Sequence, residues 1–504
     1  MATVPLLNWD FVHVGACQWT ETRDRILCDV PRGIQIRVEP AGRIGPLLAP
    51  DRPWEAGGLS GAQVMLDDGL YRMWYAAKGA EPGDTHVLCY AESDDGLAWR
   101  RPDLGINEWR GITANNIAYI GPEAASACVL RDPSAPPDAR YRAMSFSAWF
   151  EGEAGEVLDS DEGHRRLDAQ NAAQPGQDVR PVRLQGKMLG LASPDGLHWE
   201  PMPEPLLDEW HDTHNICTWC PERQKFIAYL RGFYAGRRAI SYAETDDFTS
   251  WPPSELIHHH SPADEPDVSI YSNCYTAYPG VPGVHLMFPA VYRQAADTVD
   301  VELAASIDGK RWARHAGQPI IPLASGDEAF VYAEPELLRF PGDRKFRLLC
   351  HTGAAYHNEW YVEALRAEGK HGKYVWAEWD EDRLAGIHAE GDGEFTIVPN
   401  PCGDELLANF RTEPGGWIRF ELVDRLVWPP VRYDGLPGRC FEDMEPLTGD
   451  DFARPVVWRS GGKLADLGGK PIAVRVHLHK ATLYAIHFRG TEAPADREDP
   501  RFPV

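Results

Sequence analysis

The chain has 504 residues, with 50 Lys and Arg against 76 Asp and Glu, so its formal net charge at pH 7 is −26. A surface of this charge repels phosphate backbones and anionic headgroups, which excludes nucleic acid and membrane surfaces as expected partners. The length suits two ordinary domains, or one large repetitive domain with a companion.

The first residues, MATVPLLNWDFVHVG, lack a basic segment followed by an apolar one, so we expect a cytoplasmic protein.

Ten cysteines are scattered along the chain, and the close pair is Cys217 and Cys220 in CTWC. That segment reads as a strand, which points the two side chains to opposite faces of a sheet. The three consecutive residues His258 to His260 also alternate sides. We therefore predict buried free thiols, no metal site and no cofactor.

Short runs rich in Val, Tyr, Trp, Phe and Leu are interrupted throughout by Gly, Pro, Asp and Asn, and no long apolar stripe of helical period occurs. This pattern predicts an all-β protein.

One motif is repeated four times: a small residue, an acidic turn and a tryptophan. It occurs as YAESDDGLAW, LASPDGLHW, YAETDDFTSW and AASIDGKRW, ending at Trp99, Trp199, Trp251 and Trp312. Asp and Gly form a tight turn between two strands, and the Trp returns to cover it. A polar insertion without pattern, residues 150–183, lengthens the first interval.

A second hairpin precedes each of these turns, and a fifth hairpin, PELLRFPGDRKFRLLCHTG, is followed by one more strand, RLAGIHAE. Five four-stranded units at a period of about 50–65 residues predict a five-bladed β-propeller over residues 1–393. Evenly spaced strands follow and predict a C-terminal β-sandwich over residues 394–504. Its expected role is to cover a flank of the propeller or to mediate self-association as a homo-oligomer.

A propeller with these turns, followed by a sandwich ending in LYAIHF, resembles the glycoside hydrolases of the fructofuranosidase, arabinanase and mannoside phosphorylase group. The most similar members are bacterial proteins related to invertases, described as glycoside hydrolase family 32-like. The turns also look like the Asp-boxes of sialidases, but the FRIP motif of those enzymes is missing.

Two departures from the family concern its motifs. The WMNDPNG string that holds the nucleophile of invertases is absent, and the nearest stretch is DRPWEAGG. LRDP, at residues 130–133, looks like the RDP motif of the family. Because ACVL is the first strand of its blade, we expect Asp132 at a hairpin tip instead.

The innermost strands of a propeller line its central channel, and the residues that enter those strands surround one mouth. Several acids stand at these entrances: Glu55 in PWEAGG, Asp212 in WHDTHN, Asp267 in PDVSIYSN and Glu334 in VYAEPE. Glycosidic cleavage needs two carboxyl groups, one protonated and one ionised. We therefore predict that these four acids are catalytic, with Asp212 orienting or assisting as the acid because His214 and Asn215 follow it.

Other polar and aromatic residues at strand ends are candidates for binding sugar hydroxyls and C–H faces. They are Trp54, His214, Asn215, Arg231, Tyr271, Tyr332, His351 and His357. Each of the acids could instead be a turn former or strand cap, and the histidines could belong to the core.

The resemblance and the acids together predict a glycosidase, either a hydrolase or a transglycosylase, acting on a small exposed carbohydrate. The preference for a fructofuranoside or an arabinofuranoside is implied by the resemblance alone. Two alternatives stay open: a non-catalytic carbohydrate-binding propeller, and a glycoside phosphorylase, which would need cations such as Arg231 and Arg293 to hold phosphate.

Overall fold

A computed structural model describes residues 2–490 apart from 20–21, 23–24, 82, 159, 174–179, 325–327, 341, 360–371, 402, 424–434 and 462–463. Nearly all regular structure in these residues is β-strand, so the all-β prediction is confirmed. No described helix is long and apolar enough to span a lipid bilayer.

Five short strands precede the first repeated unit, and they belong to different sheets. They are β1 (Ala2–Pro5), β2 (Ala16–Trp19), β3 (Arg25–Cys28), β4 (Gln35–Val38) and β5 (Gly42–Leu48). Strands β2 and β3 pair with each other, whereas β1 and β4 join the C-terminal sheet. The sequence prediction placed this whole region in the propeller.

Three antiparallel units follow, each with four strands in its main path, and the second has one additional short strand. Blade 1 contains β6 (Gly58–Asp67), β7 (Leu70–Lys78), β8 (His86–Ser93) and β9 (Ile117–Ile120). Blade 2 contains β10 (Cys128–Arg131), β11 (Tyr141–Glu151), a short β12 (Val157–Leu158), β13 (Arg183–Ser193) and β14 (Glu200–Pro201). Blade 3 contains β15 (Ile216–Cys220), β16 (Lys225–Tyr234), β17 (Arg237–Thr245) and β18 (Glu255–His258).

Blade 4 has the same order, but its first three strands are each broken into two. Its strands are β19 (Val268–Ser272), β20 (Tyr275–Ala277), β21 (His285–Met287), β22 (Ala290–Arg293), β23 (Thr298–Val301), β24 (Ala304–Ser306) and β25 (Ala313–Arg314). A register shift between Ile270 and Ser272 and the proline at 289, which lacks an N–H donor, interrupt the ladder.

Blade 5 is completed by a strand from the start of the chain. It contains β26 (Phe330–Ala333), β27 (Leu338–Phe340), β28 (Lys345–Gly353) and β29 (Lys373–Asp380), and β5 pairs with β29 as the outer strand. The prediction that RLAGIHAE supplies this strand is wrong, because that segment belongs to the next sheet. Since each unit contacts the next and β28 contacts β6, the five units form a closed ring.

The repeated turn has the structure that its residues predict. In the second copy, Ser193 Oγ accepts a hydrogen bond from the Gly196 N–H at 2.9 Å, and Asp195 Oδ1 accepts two further backbone N–H groups at 2.8 and 2.9 Å. Trp199 Nε1 donates to the Gly196 carbonyl at 2.9 Å. Trp74 of blade 1 donates to the same carbonyl at 2.6 Å, so the turn also joins adjacent blades.

The polar insertion contains structure that its composition does not predict. Residues Ser160–Ala172 form helix α1, and Leu167 of this helix packs against the apolar side chains of Phe150, Leu158 and Val182. Residues 174–179 of the insertion lie outside the described residues. Asp132 caps the β10–β11 hairpin as expected, accepting a hydrogen bond from the Ser134 N–H at 2.9 Å.

The C-terminal unit consists of long strands: β30 (Ala385–Pro401), β31 (Glu405–Val423), β32 (Asp450–Pro455) and β33 (Pro471–Arg489). With β1 and β4 they form one continuous six-stranded sheet with several β-bulges. The predicted boundary at residue 394 therefore falls inside β30. An apolar core shared by this sheet and blades 4 and 5 packs the unit against the ring.

Candidate active site

A cavity of about 400 Å³ lies where the five blades meet. Every blade contributes to its wall: Gly57 to Gly61, Lys78 and His86 from blade 1, Ala125, Ser126 and Phe146 from blade 2, Asp212 to His214 and Ile216 from blade 3, Tyr271, Ser272 and Cys274 from blade 4, and Phe330, Tyr332 to Glu334, His351 and His357 from blade 5. Seven of the twelve predicted site residues are therefore brought together in one place: Asp212, His214, Tyr271, Tyr332, Glu334, His351 and His357.

Glu334 and His214 form a buried pair at this wall. Nδ1 of His214 lies 2.8 Å from Oε2 of Glu334, and the two side chains are only 12% and 4% exposed. Burial lowers the pKa of His214, but the neighbouring Cys128 thiol and the Glu334 carboxylate raise it further, to about 9. His214 is consequently protonated at neutral pH, and its charge is matched by the carboxylate.

Asp212 is the more open of the two cavity acids, with a side chain 41% exposed. Arg231 Nη1 donates to Asp212 Oδ1 at 2.8 Å, while Arg231 Nη2 donates to the Tyr271 carbonyl at 2.9 Å. The guanidinium also lies over the Tyr271 ring, 4.2 Å from its centroid. Arg231 therefore fixes both an acid and an aromatic ring from behind the wall.

Tyr332 and His357 form a second polar pair, with the Tyr332 hydroxyl 2.8 Å from Nδ1 of His357. Burial and the nearby Arg238 lower the pKa of His357 to about 4. A neutral imidazole can accept or donate a hydrogen bond without adding charge. His351 lies on the strand paired with Tyr332 and packs beside Phe330.

The structure places Glu55 and Trp54 in the core of blade 1, not at the cavity. A 3₁₀ turn, Pro53–Glu55, folds Glu55 back so that its Oε2 accepts the N–H groups of Asp51 and Arg52 at 3.1 and 3.3 Å. Tyr75 donates to its Oε1 at 2.7 Å. Burial raises the pKa of Glu55, which is fully enclosed. Trp54 donates to Asn116 at 2.9 Å. Both residues therefore act as structural groups.

Asp267 also lies outside the cavity wall. It precedes β19 by one residue and accepts a hydrogen bond from the Ala295 N–H at 3.0 Å, which closes a hairpin loop. The cavity begins at Tyr271, four residues further along the strand. An extended chain rises about 3.3 Å per residue, so the two positions are roughly 13 Å apart.

Asn215 likewise does not line the cavity and is 1% exposed. Its side chain donates to the His211 and Thr213 carbonyls at 2.7 and 2.9 Å, and its oxygen accepts the Arg231 N–H at 3.0 Å. It therefore holds the segment that carries Asp212 and His214.

Sequence reasoning missed the contribution of blade 1 to the wall. Lys78 ends the second strand of its blade, in YAAKG, and Arg231 likewise follows an apolar run on the second strand of blade 3, in AYLRG, so this shared pattern could have found Lys78. The run AGGLSG, with three glycines, marks a close approach of backbone to the cavity.

One group of three possible metal ligands occurs among the described residues, formed by Glu421, Cys440 and Glu442. None of these residues lines the cavity. Glu421 already forms an ion pair with Arg475, so we assign no metal there.

No protein-family model and no curated protein matches this chain. Solved structures that are similar include a putative glycosidase from Bacteroides thetaiotaomicron, with 14% identity over 68% of this chain and 96% of that chain and a TM-score of 0.42. A family 32 β-fructofuranosidase from Bombyx mori has 10% identity over 91% of this chain and 95% of that chain, with a TM-score of 0.40.

An exo-inulinase from Aspergillus awamori has 10% identity over 90% of this chain and 99% of that chain, with a TM-score of 0.40. These structures are named as a glycosidase, a fructofuranosidase and an inulinase, and their similarity to this chain is low in both sequence and structure. Because these matches are distant, the residues of the cavity must carry any assignment of function.

Proposed function

We propose that this protein is a glycosidase, a hydrolase or transglycosylase, that acts on a small exposed glycoside, a fructofuranoside or an arabinofuranoside. The observation that carries the proposal is the presence of two carboxyl groups, Asp212 and Glu334, in the wall of one central cavity. A cavity of about 400 Å³ is within the usual size range of small-molecule sites.

The two acids have different surroundings, which is what glycosidic cleavage requires. Asp212 is open to the cavity and held by Arg231, while Glu334 is buried beside protonated His214. Negative charge near the sugar ring stabilises the oxocarbenium-like transition state. The imidazolium of His214 places a transferable proton at the same wall.

Aromatic rings give the cavity flat apolar surfaces on which the C–H face of a sugar can stack. Tyr271, Phe146 and Phe330 all line it, and Arg231 keeps the Tyr271 ring in place. Hydroxyl groups of the sugar would find acceptors in Asp212 and Glu334.

The test is to measure hydrolysis of nitrophenyl furanosides and pyranosides by the wild type and by the variants Asp212→Asn and Glu334→Gln. We expect each substitution to lower kcat by on the order of 10³-fold or more. Asp267→Asn is the matched control, because that acid lies outside the cavity. Full activity in both cavity variants would contradict the proposal.

A carbohydrate-binding propeller without catalysis is a second candidate, favoured by one observation. Both cavity carboxylates already have a cationic partner, Arg231 or His214, which also suits acids that only accept hydrogen bonds from hydroxyl groups. In that case the wild type binds sugars in calorimetry but releases no nitrophenol from any glycoside.

A further inference from the structure

Lys78 is a cation of the cavity wall for which no carboxylate partner occurs among the described residues. The other charged groups of the wall are matched: Asp212 pairs with Arg231 and Glu334 with His214, each at 2.8 Å. Burying half of an ammonium group without a carboxylate partner is unfavourable. Lys78 lacks such a partner even though acidic residues outnumber basic ones in this chain, which has a net charge of −26.

The space beside Lys78 is kept open. Gly58, Lys78 and His86 pair side by side across the first three strands of blade 1, and paired residues of antiparallel strands share a face. Gly58 has no side chain to cover the ammonium. Burial and the positive charge of Lys78 lower the pKa of His86 to about 4, so His86 adds a neutral hydrogen-bonding group.

Two hydroxyl groups complete this part of the wall. Ser60 and Ser126 line the cavity, and in the described residues neither side chain makes a hydrogen bond. The two segments meet closely, since a Cβ added at Gly61 would lie 2.8 Å from the Cα of Ser126. An ammonium, an imidazole and two hydroxyls that lack protein acceptors form a set of donors suited to an oxyanion.

We infer that the blade 1 wall, defined by Lys78, His86, Ser60 and Ser126, binds an anionic group of the substrate, either a carboxylate or a phosphate. The inference deepens the proposed function: the glycoside carries an acidic substituent, which Lys78 holds while its scissile bond faces Asp212 and Glu334. A neutral sugar would leave the Lys78 charge uncompensated.

The test is titration calorimetry of the full-length protein with glucuronate, inorganic phosphate and glucose. We expect an anion to bind the wild type more tightly than glucose, with affinity that falls as salt is added. Lys78→Met should weaken anion binding at least tenfold, whereas Lys78→Arg should retain it. Lys187→Met, which removes a lysine paired with Asp208 outside the cavity, is the control.

The variants do not have to be equally stable for the test to work, since His86 provides a readout in the wild type. An anion bound beside it should move the midpoint of its imidazole NMR titration upward from about pH 4. Binding of glucuronate but not phosphate assigns a carboxylated sugar. Binding of phosphate assigns a phosphate group, and comparison with a sugar phosphate then distinguishes an ester from the free ion.

The inference is overturned if neither anion binds the wild type, or if Lys78→Met binds them equally well. Its failure can be distinguished from failure of the glycosidase proposal with the double variant Asp212→Asn/Glu334→Gln. If the double variant binds anions and the wild type hydrolyses no glycoside, the anion site is supported and the glycosidase proposal is contradicted. Hydrolysis of neutral glycosides without anion binding gives the reverse result.

Discussion

Nδ1 of His214 lies 2.8 Å from Oε2 of Glu334, so one ion pair joins blades 3 and 5, which are not neighbours in the ring. Both residues line the cavity, and the pair ties two of its buried charged groups to each other. Geometry of the site and stability of the ring are therefore linked at this contact.

The stabilisation that protonated His214 provides is predicted to depend on pH. Cys128 and Glu334 together raise the pKa of His214 from 6.5 to about 9, and at about 1.4 kcal/mol per unit they stabilise the protonated imidazole by about 3 kcal/mol. Because the folded pKa is the higher one, this stabilisation is fully present below pH 6.5 and is lost as pH rises through about 9. Unfolding of the wild type and of His214→Gln should differ most near pH 6. An equal difference at pH 6 and pH 10 would contradict the assignment.

Arg231 is predicted to determine the position of Asp212. A lysine cannot reach Asp212 and the Tyr271 carbonyl at once, so Arg231→Lys should release the carboxylate. We expect kcat/KM, or sugar affinity if the protein only binds, to fall on the order of 10–100-fold. Arg238→Lys is the control, since Arg238 lies over the same ring, 4.7 Å from its centroid. Equal effects of both substitutions would argue against a specific role for Arg231.

The strand that closes the ring should be essential for stability. Leu48 of β5 is 5% exposed and packs with the aromatic core of blades 1 and 5. Leu48→Ala should lower the free energy of unfolding by about 2–4 kcal/mol, through lost burial and the cavity left behind. Denaturation with urea measures this, and Leu97→Ala, at a residue 42% exposed, should change it by less than about 0.5 kcal/mol. Similar values for the two would show that closure by β5 matters little.

The aspartate carboxylates of the repeated turns are predicted to stabilise the folded protein, and this stabilisation should be lost in acid. Burial raises the pKa of Asp308, but the backbone N–H groups of Arg311 and Lys310 lower it further, to about 2. The folded pKa is below the unfolded 3.8, so the contribution is present above pH 3.8 and disappears as pH falls through about 2. Thermal unfolding should show a deficit for Asp308→Asn at pH 7 that shrinks towards pH 2.5. A constant deficit would mean that the carboxylate charge is not involved.

The parts of the structure that the sequence predicts are those set by local chemistry. Ser193, Asp195 and Gly196 determine their turn within a few residues, so its copies mark the blades wherever they occur. The fourth strand of blade 5 could not be found in this way, because β5 pairs with a strand more than half the chain away and its residues carry no signal of that partner.

Strand entrances predicted the residues of the cavity wall where the entrance coincides with the cavity, as at Asp212 and Glu334, whose catalytic roles stay predictions. The prediction failed at Glu55, where a turn redirects the side chain into the blade, and at Asp267, where the strand begins before it reaches the cavity. Lys78 was missed because a lysine at a strand end is usually exposed to solvent, so its residue type gave no sign of the cavity.

The closing role of β5 also has a consequence for biosynthesis. Gly42–Leu48 leaves the ribosome long before its partner Lys373–Asp380 is translated, so the nascent chain carries an unpaired edge through most of its elongation. The exposed residues of β5 are Gly42, Gly45 and Pro46, and because Pro46 has no N–H to donate, this edge pairs poorly with strands of other chains before its partner is made. The first blade-forming segment to be made is thus the last to be used.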